Sequence, residues 1–194
     1  MTDAVAVCNQ AMDLIGSSAN ITAIAPSDGS KNANWCARNY DQTRRERLRA
    51  HRWGFAVKLV KLGQNTTDPV HGFDYLYNRP ALDLRILGVW DNDAMAGTVE
   101  YQVQGLAIAA SANELWLSYV EDKTDPDDWD VLFLGVLAHT LAIKAAIPLG
   151  NLSNVRLAEV RAERKRLLSE ARTTDALEDW PAQMPESTWI SERS

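Results

Sequence analysis

The hydrophobic period of this chain changes twice, being helical towards both ends and two-residue in the middle. Apolar side chains three or four positions apart share one face of a helix, whereas strict alternation puts them on one face of a strand. This double change limits the fold more than any single motif, because it sets helices on either side of sheet. Near the N-terminus Val5, Cys8, Ala11, Met12 and Ile15 keep helical intervals, and Gly16 follows as a stop. A stretch rich in Ser, Asn and Pro from Ser17 to Gly29 predicts a loop. Ala33, Cys36, Tyr40, Arg44 and Leu48 then mark one face of a second helix.

Between Trp53 and Val120 the period becomes two. Trp53, Phe55, Val57 and Leu59 alternate, as do Phe73, Tyr75 and Tyr77. The runs "DLRILGVW", "TVEYQVQG" and "NELWLSYV" are further short candidates, divided by Gly, Asn, Asp and Pro. No helical stretch separates them, so the sheet is expected to be antiparallel. The helical period returns in "TDPDDWDVLFLGVLAHTLAIKAAIPLG". Here Asp125 is the expected N-cap, Pro126 the first helical residue, and Asp127 and Asp128 complement the helix dipole. Trp129, Leu132, Phe133, Val136, Leu137 and Leu141 give this helix a wide apolar face, and Pro148 and Gly150 are its expected stop. Ser153 can cap a fourth helix with Leu157, Val160, Leu167, Leu168 and Ala171 as its stripe. The expectation is an α+β protein, a four-helix bundle interrupted by one antiparallel β insertion and followed by an extended C-terminal tail. Its parts are a helical segment 1–52, a β-rich insertion 53–124, a second helical segment 125–180 and a tail 181–194.

A chain of 194 residues, 46% hydrophobic and with seven tryptophans, can bury a real core. Its formal charge of −6 argues against a dedicated nucleic-acid binder, whose domain is normally basic. No apolar run is read as approaching the ~18 residues of a membrane span. "MTDAVAVCNQ" has no basic region before an apolar one, so no secretory signal is expected. Cys8 and Cys36 suit a reducing compartment and are expected as two buried thiols. Phosphate-loop, dinucleotide-binding, zinc-protease and nucleophile-elbow motifs are missing. "DKTDPDDWD" lacks the central Gly and closing Glu of a calcium loop and reads better as a helix start. His139, inside an apolar helix, is expected to be a hydrogen-bonded core residue. No catalytic residue, metal ligand set or cofactor is therefore expected, and the chain is not read as an enzyme.

The charge is unevenly placed. From Arg38 to Lys61 eight basic side chains stand against two acids, and from Glu121 to Asp130 six acids stand against one lysine. Such runs ordinarily solvate a surface. Arg44 departs from that pattern, because it lies on the apolar line from Tyr40 to Leu48 and must find a carboxylate there. Asp13 and Glu163, on helices expected to be neighbours, are candidate partners. No Phe or Tyr is interleaved among Arg45, Arg47, Arg49 and Arg52 to stack bases.

Taken together, "AMDLIGSSANITAI" and "WCARNYDQTRRERLRAHRWGFA" resemble the head-to-tail adaptors of tailed bacteriophages, the tail tubular protein A family. The resemblance rests on Tyr40, Arg44, Leu48, Trp53 and Phe55. It continues through Tyr77, Pro80, Asp83 and Leu84, then Tyr119, Asp125 and Pro126, over roughly residues 4–178. Asn78-Arg79 before Pro80 departs from the family, where an apolar residue is more usual. The resemblance implies a structural virion protein of the neck, made in the host cytoplasm. It would form a homo-oligomeric ring of about twelve subunits between portal protein and tail or nozzle protein. Genomic DNA would pass through without sequence-specific contact, and no membrane would be involved. Helices would build the ring while the β insertion reaches towards the tail. Under this reading Arg45, Arg49 and Arg52 meet Glu121, Asp122 and Asp128 of a neighbour. Trp180, Met184, Trp189 and Ile190 of the acidic tail would then contact the portal or an adjacent subunit. The alternative is a DNA-binding accessory protein that lays the helix around Arg44–Arg52 on phosphates, with steep salt dependence.

Overall fold

A computed structural model describes residues 3–17, 20–69, 72–150 and 152–178. Two helices come first, α1 (Ala4–Leu14) and α2 (Lys31–Ala50), each begun by a side-chain cap. Asp3 accepts from the Ala6 N–H and Ser30 from the Ala33 N–H. Gly16 closes α1 in the left-handed region, at φ 75°, as its position promised. The residues expected on the inner faces of both helices are buried, among them Cys8, Met12, Cys36, Tyr40 and Leu48, except Val5, which is half-buried against the same core. The two cysteines are free thiols.

Six strands follow: β1 (Val57–Lys61), β2 (Tyr75–Asn78), β3 (Asp83–Trp90), β4 (Tyr101–Gln104), β5 (Ala107–Ala110) and β6 (Trp116–Glu121). All pairings are antiparallel, but the strands do not make one insertion sheet. They form two three-stranded sheets, ordered β1-β6-β3 and β2-β5-β4. The two meet over a small core of their own, built from Leu62, Tyr77, Val89, Ile108, Leu117 and Tyr119. The other face of the first sheet, through Leu84 and Val120, joins the helical core. β6 is thus covered on both sides, which explains why its residues 117–120 are all buried. Asn78 and Arg79 do not disturb the pairing, since Asn78 sits opposite Ala107 in the ladder. Trp53 and Phe55 are not in a strand; a 3-10 turn at Gly54–Ala56 leads into β1.

The last two helices are α3 (Val131–Leu149) and α4 (Asn154–Glu178). Asp125 and Pro126 begin a separate 3-10 turn, Pro126–Asp128, and not α3 itself. Asp130 is the true cap, accepting from the Leu132 and Phe133 N–H groups. Ser153 accepts from the Arg156 N–H, as expected of a cap for α4. That helix runs to Glu178, within the helical segment expected to 180. By length and apolar composition α3 would qualify as a membrane span, contrary to the expectation that no run comes close. Here it is the central element, packed by α1, α2 and α4, and Phe133, Val136, Leu137, Leu141 and Ala145 are fully enclosed.

The expected α+β class holds, but the four-helix bundle with a single β insertion does not. α4 packs extensively on α3 alone and α1 only lightly on α2, so the helices radiate from α3. A closed bundle would need α4 to meet α1 or α2 along its length. The first sheet, carrying Leu84 and Val120, enters the helical core instead.

Candidate assembly interface

The basic helix α2 divides its arginines among three directions. Arg44 turns inward and is 3% exposed. It donates to the Asp122 carboxylate and to the Lys123 carbonyl, just past the end of β6. Asp122, 11% exposed, also meets Arg45 at 3.2 Å. Neither Asp13 nor Glu163 is the partner; Glu163 pairs with Arg166 on its own helix. Arg49 donates to the Leu84 carbonyl on β3, while Arg85 donates to the Arg49 carbonyl at 3.2 Å. These bonds stitch α2 to the β1-β6-β3 sheet. Charge-assisted bonds to backbone carbonyls and to a carboxylate only 11% exposed are the kind that resist separation.

A second polar joint ties α2 to α3. Lys144, in an otherwise apolar helix, reaches the Glu46 carboxylate at 2.6 Å and the Thr43 hydroxyl at 3.1 Å. The Lys144 hydrogen bond lowers the Glu46 carboxyl below its ordinary value, against a smaller opposing effect of burial. At the end of α2, His51 Nε2 lies 2.9 Å from Asp175, whose other oxygen accepts from the Gly54 N–H at 2.6 Å. His51 also meets the Trp53 ring edge-on. This His–Asp pair fastens the α2–β1 junction to α4.

Between α2 and the turn into β3 runs an open groove of about 640 Å³, lined by Arg45, Arg49, Arg79, Asp83 and Leu106 among others. Arg79 and Asp83 pair across Pro80 at 2.6 Å and shape one wall. Leu106, 81% exposed, stands at its rim. A groove with an apolar rim and arginines held at fixed angles is suited to receiving a protein surface.

The residues carrying the resemblance fall on two seams. Tyr40, Arg44, Leu48 and Trp53 are buried in sequence along the inner side of α2 and its exit. Phe55 packs against that core, stacked on Trp53. Burial, with Cys8 close by, raises the Tyr40 phenol. Tyr77 and Tyr119 belong to the inter-sheet core, with the Tyr77 hydroxyl donating to the Ala112 carbonyl. Pro80 and Asp83 sit at the turn into β3, and Asp125 and Pro126 start the 3-10 turn before α3. The six residues expected to pair between subunits are engaged within one chain. Glu121 takes Lys58 at 2.8 Å, Asp128 takes Lys123 at 3.2 Å, and Asp122, Arg45 and Arg49 are bonded as above. Arg52 also has an interaction inside the chain. Trp180, Met184, Trp189 and Ile190 lie outside the described residues.

Periodicity located Arg44, but not Asp122, Lys144–Glu46 or Arg79–Asp83. A lone lysine amid the apolar run of α3 was a signal that a carboxylate must face it. His139 is buried, with Nδ1 2.8 Å from the Gly135 carbonyl one turn earlier. Among the described residues no group of three or more His, Cys, Asp or Glu side chains could hold a metal ion. No protein-family model matches the chain, and no curated protein matches it significantly.

Proposed function

We propose that this chain is a head-to-tail adaptor of a tailed-phage virion, a structural component of the neck and not an enzyme. It joins a ring of its own copies, about twelve by the family resemblance, between the portal protein and the tail or nozzle protein, with genomic DNA passing through. The observation that carries this reading is the ordered resemblance over residues 4–178. Its α2 members, Tyr40, Arg44 and Leu48, share one buried seam that runs on to Trp53. Through Arg44 and Asp122 that seam fastens the helices to the first sheet, giving the rigid body that a ring subunit needs. The open arginine groove and the exposed Leu106 supply surface for neighbours. Trp180, Met184, Trp189 and Ile190 are the proposed portal or neighbour contacts.

The DNA-binding alternative finds less support, because Arg44 and Arg49 are turned to Asp122 and to backbone carbonyls. The purified protein is expected to add to portal-bearing, DNA-filled heads and to appear as a collar below the portal by cryo-electron microscopy. Heads that remain bare at saturating protein would overturn the adaptor reading. Duplex-DNA affinity falling steeply with salt would favour the alternative.

A further inference from the structure

Three segments far apart in sequence close on one pocket of about 250 Å³. Trp53 and Phe55 come from the α2–β1 junction, and Trp129 comes from the turn before α3. All three rings rest on Phe133 of the helical core, with centroids 5.1, 5.2 and 5.3 Å from it. The aromatic wall is therefore fixed by packing. Beside it stand five carboxylates, those of Asp127, Asp128, Asp130, Asp175 and Glu178. Among the described residues no lysine or arginine lines the pocket.

Several of these carboxylates are engaged within the chain. Asp175 meets His51 and the Gly54 N–H, Asp128 meets Lys123, and Asp127 has an interaction of its own. Asp130, however, gives only Oδ1 to the Leu132 and Phe133 N–H groups, so Oδ2 remains for another donor. Glu178 is exposed at the end of α4. Trp129 points independently to an occupant. It is 6% exposed, it forms part of the pocket wall, and its indole Nε1 is buried with no hydrogen-bond partner. Buried donors are nearly always paired, so a wall that keeps one unmet is suited to an acceptor brought from outside.

We propose that this pocket receives an arginine residue of a partner protein. The guanidinium lies along the aromatic wall and donates to Asp130 Oδ2 and Glu178, and the carbonyl of the same residue accepts from the Trp129 indole. A planar guanidinium suits these walls better than an ammonium, because it can stack on a ring while its fork reaches separate carboxylates. A metal ion suits them less, since among the described residues no group of three or more His, Cys, Asp or Glu side chains could hold one. Duplex DNA would bring phosphates against carboxylates. The inference adds a contact to the adaptor reading without resting on it, because arginine binding by the isolated chain can fail while that reading stands.

The test titrates the full chain with acetyl-Gly-Arg-Gly-amide and follows the tryptophan indole N–H resonances. Matched peptides carry lysine, or citrulline, the uncharged counterpart of arginine. The arginine peptide is expected to move the Trp129 resonance saturably. The lysine peptide should bind about threefold more weakly and the citrulline peptide about tenfold more weakly. Asp128 and Glu178 are exposed, so Asp128→Asn and Glu178→Gln should leave the melting temperature within about 2 °C of the parent. Each should nevertheless weaken the arginine peptide about threefold. A Trp129 resonance that the arginine peptide leaves unmoved would overturn the assignment. Equal binding of the lysine or citrulline peptide, or undiminished affinity in both variants, would do the same. So would calcium ions that displace the peptide from the same resonances, which would make the pocket a metal site.

Discussion

Replacing Arg44 by alanine should be the most damaging single change on α2. The side chain is 3% exposed and its main partner, Asp122, is 11% exposed. Removal leaves the Asp122 carboxylate with Arg45 alone, a residue 56% exposed whose pairing is weakened by solvent. It also strips the Lys123 carbonyl of its donor. Breaking a buried pair from one side costs about 3–5 kcal/mol. For a chain of this size that corresponds to a fall in melting temperature of roughly 6–20 °C. Scanning calorimetry of Arg44→Ala, Asp122→Ala and the double variant closes a thermodynamic cycle. The double variant should lose clearly less than the sum of the singles, because it leaves no charge stranded. Arg45→Ala, the exposed control, should cost no more than about 1 kcal/mol. If Arg44→Ala melts within a degree or two of the parent, or if the two single losses simply add, then Arg44 is solvated and the seam between α2 and the first sheet is not held as described.

Three further expectations concern other parts of the fold. Cys8 and Cys36 are buried, and the hydrogen bond between them together with burial raises Cys8; a disulfide-exchange reagent should label neither at pH 8 until the protein unfolds, and fast native labelling would contradict this. The Asp28 carboxyl is depressed by the Thr22 and Ser30 N–H bonds it accepts. A depressed carboxyl contributes order that is complete above its ordinary value and is lost as pH falls below it, so amide resonances of Thr22 and Ser30 should shift only in strong acid, and movement between pH 5 and 7 would refute the assignment. A Cβ added at Gly88 would overlap the Trp90 indole two residues on, so Gly88→Ala should move the Trp90 indole resonance and cost about 1–3 kcal/mol; an unmoved resonance would show that the ring does not lie there.

The sequence alone determined the helical faces and one buried charge. Those depend on residues within a turn or two of each other, which is why Cys8, Cys36, Tyr40 and Leu48 could be placed inside and Arg44 marked as needing a carboxylate. It also marked β1, β2, β3, β4 and β6, where β-branched and aromatic residues stand near turn residues. β5 escaped notice because "AIAA" offers small side chains and no alternation, and its place is set by covering β2 and β4. The start of α3 was misplaced because Asp125-Pro126 and Asp130 are both chemically good starts, and only packing chooses between them. The partner of Arg44 lies 78 residues away, beyond any periodic signal. The division of the strands into two sheets likewise followed from the need to cover β6 on both faces, a requirement that appears only once the helices have docked on one of them. Local spacing can say which side of a helix or strand must be buried; what buries it is decided by surfaces that meet only when the chain is folded.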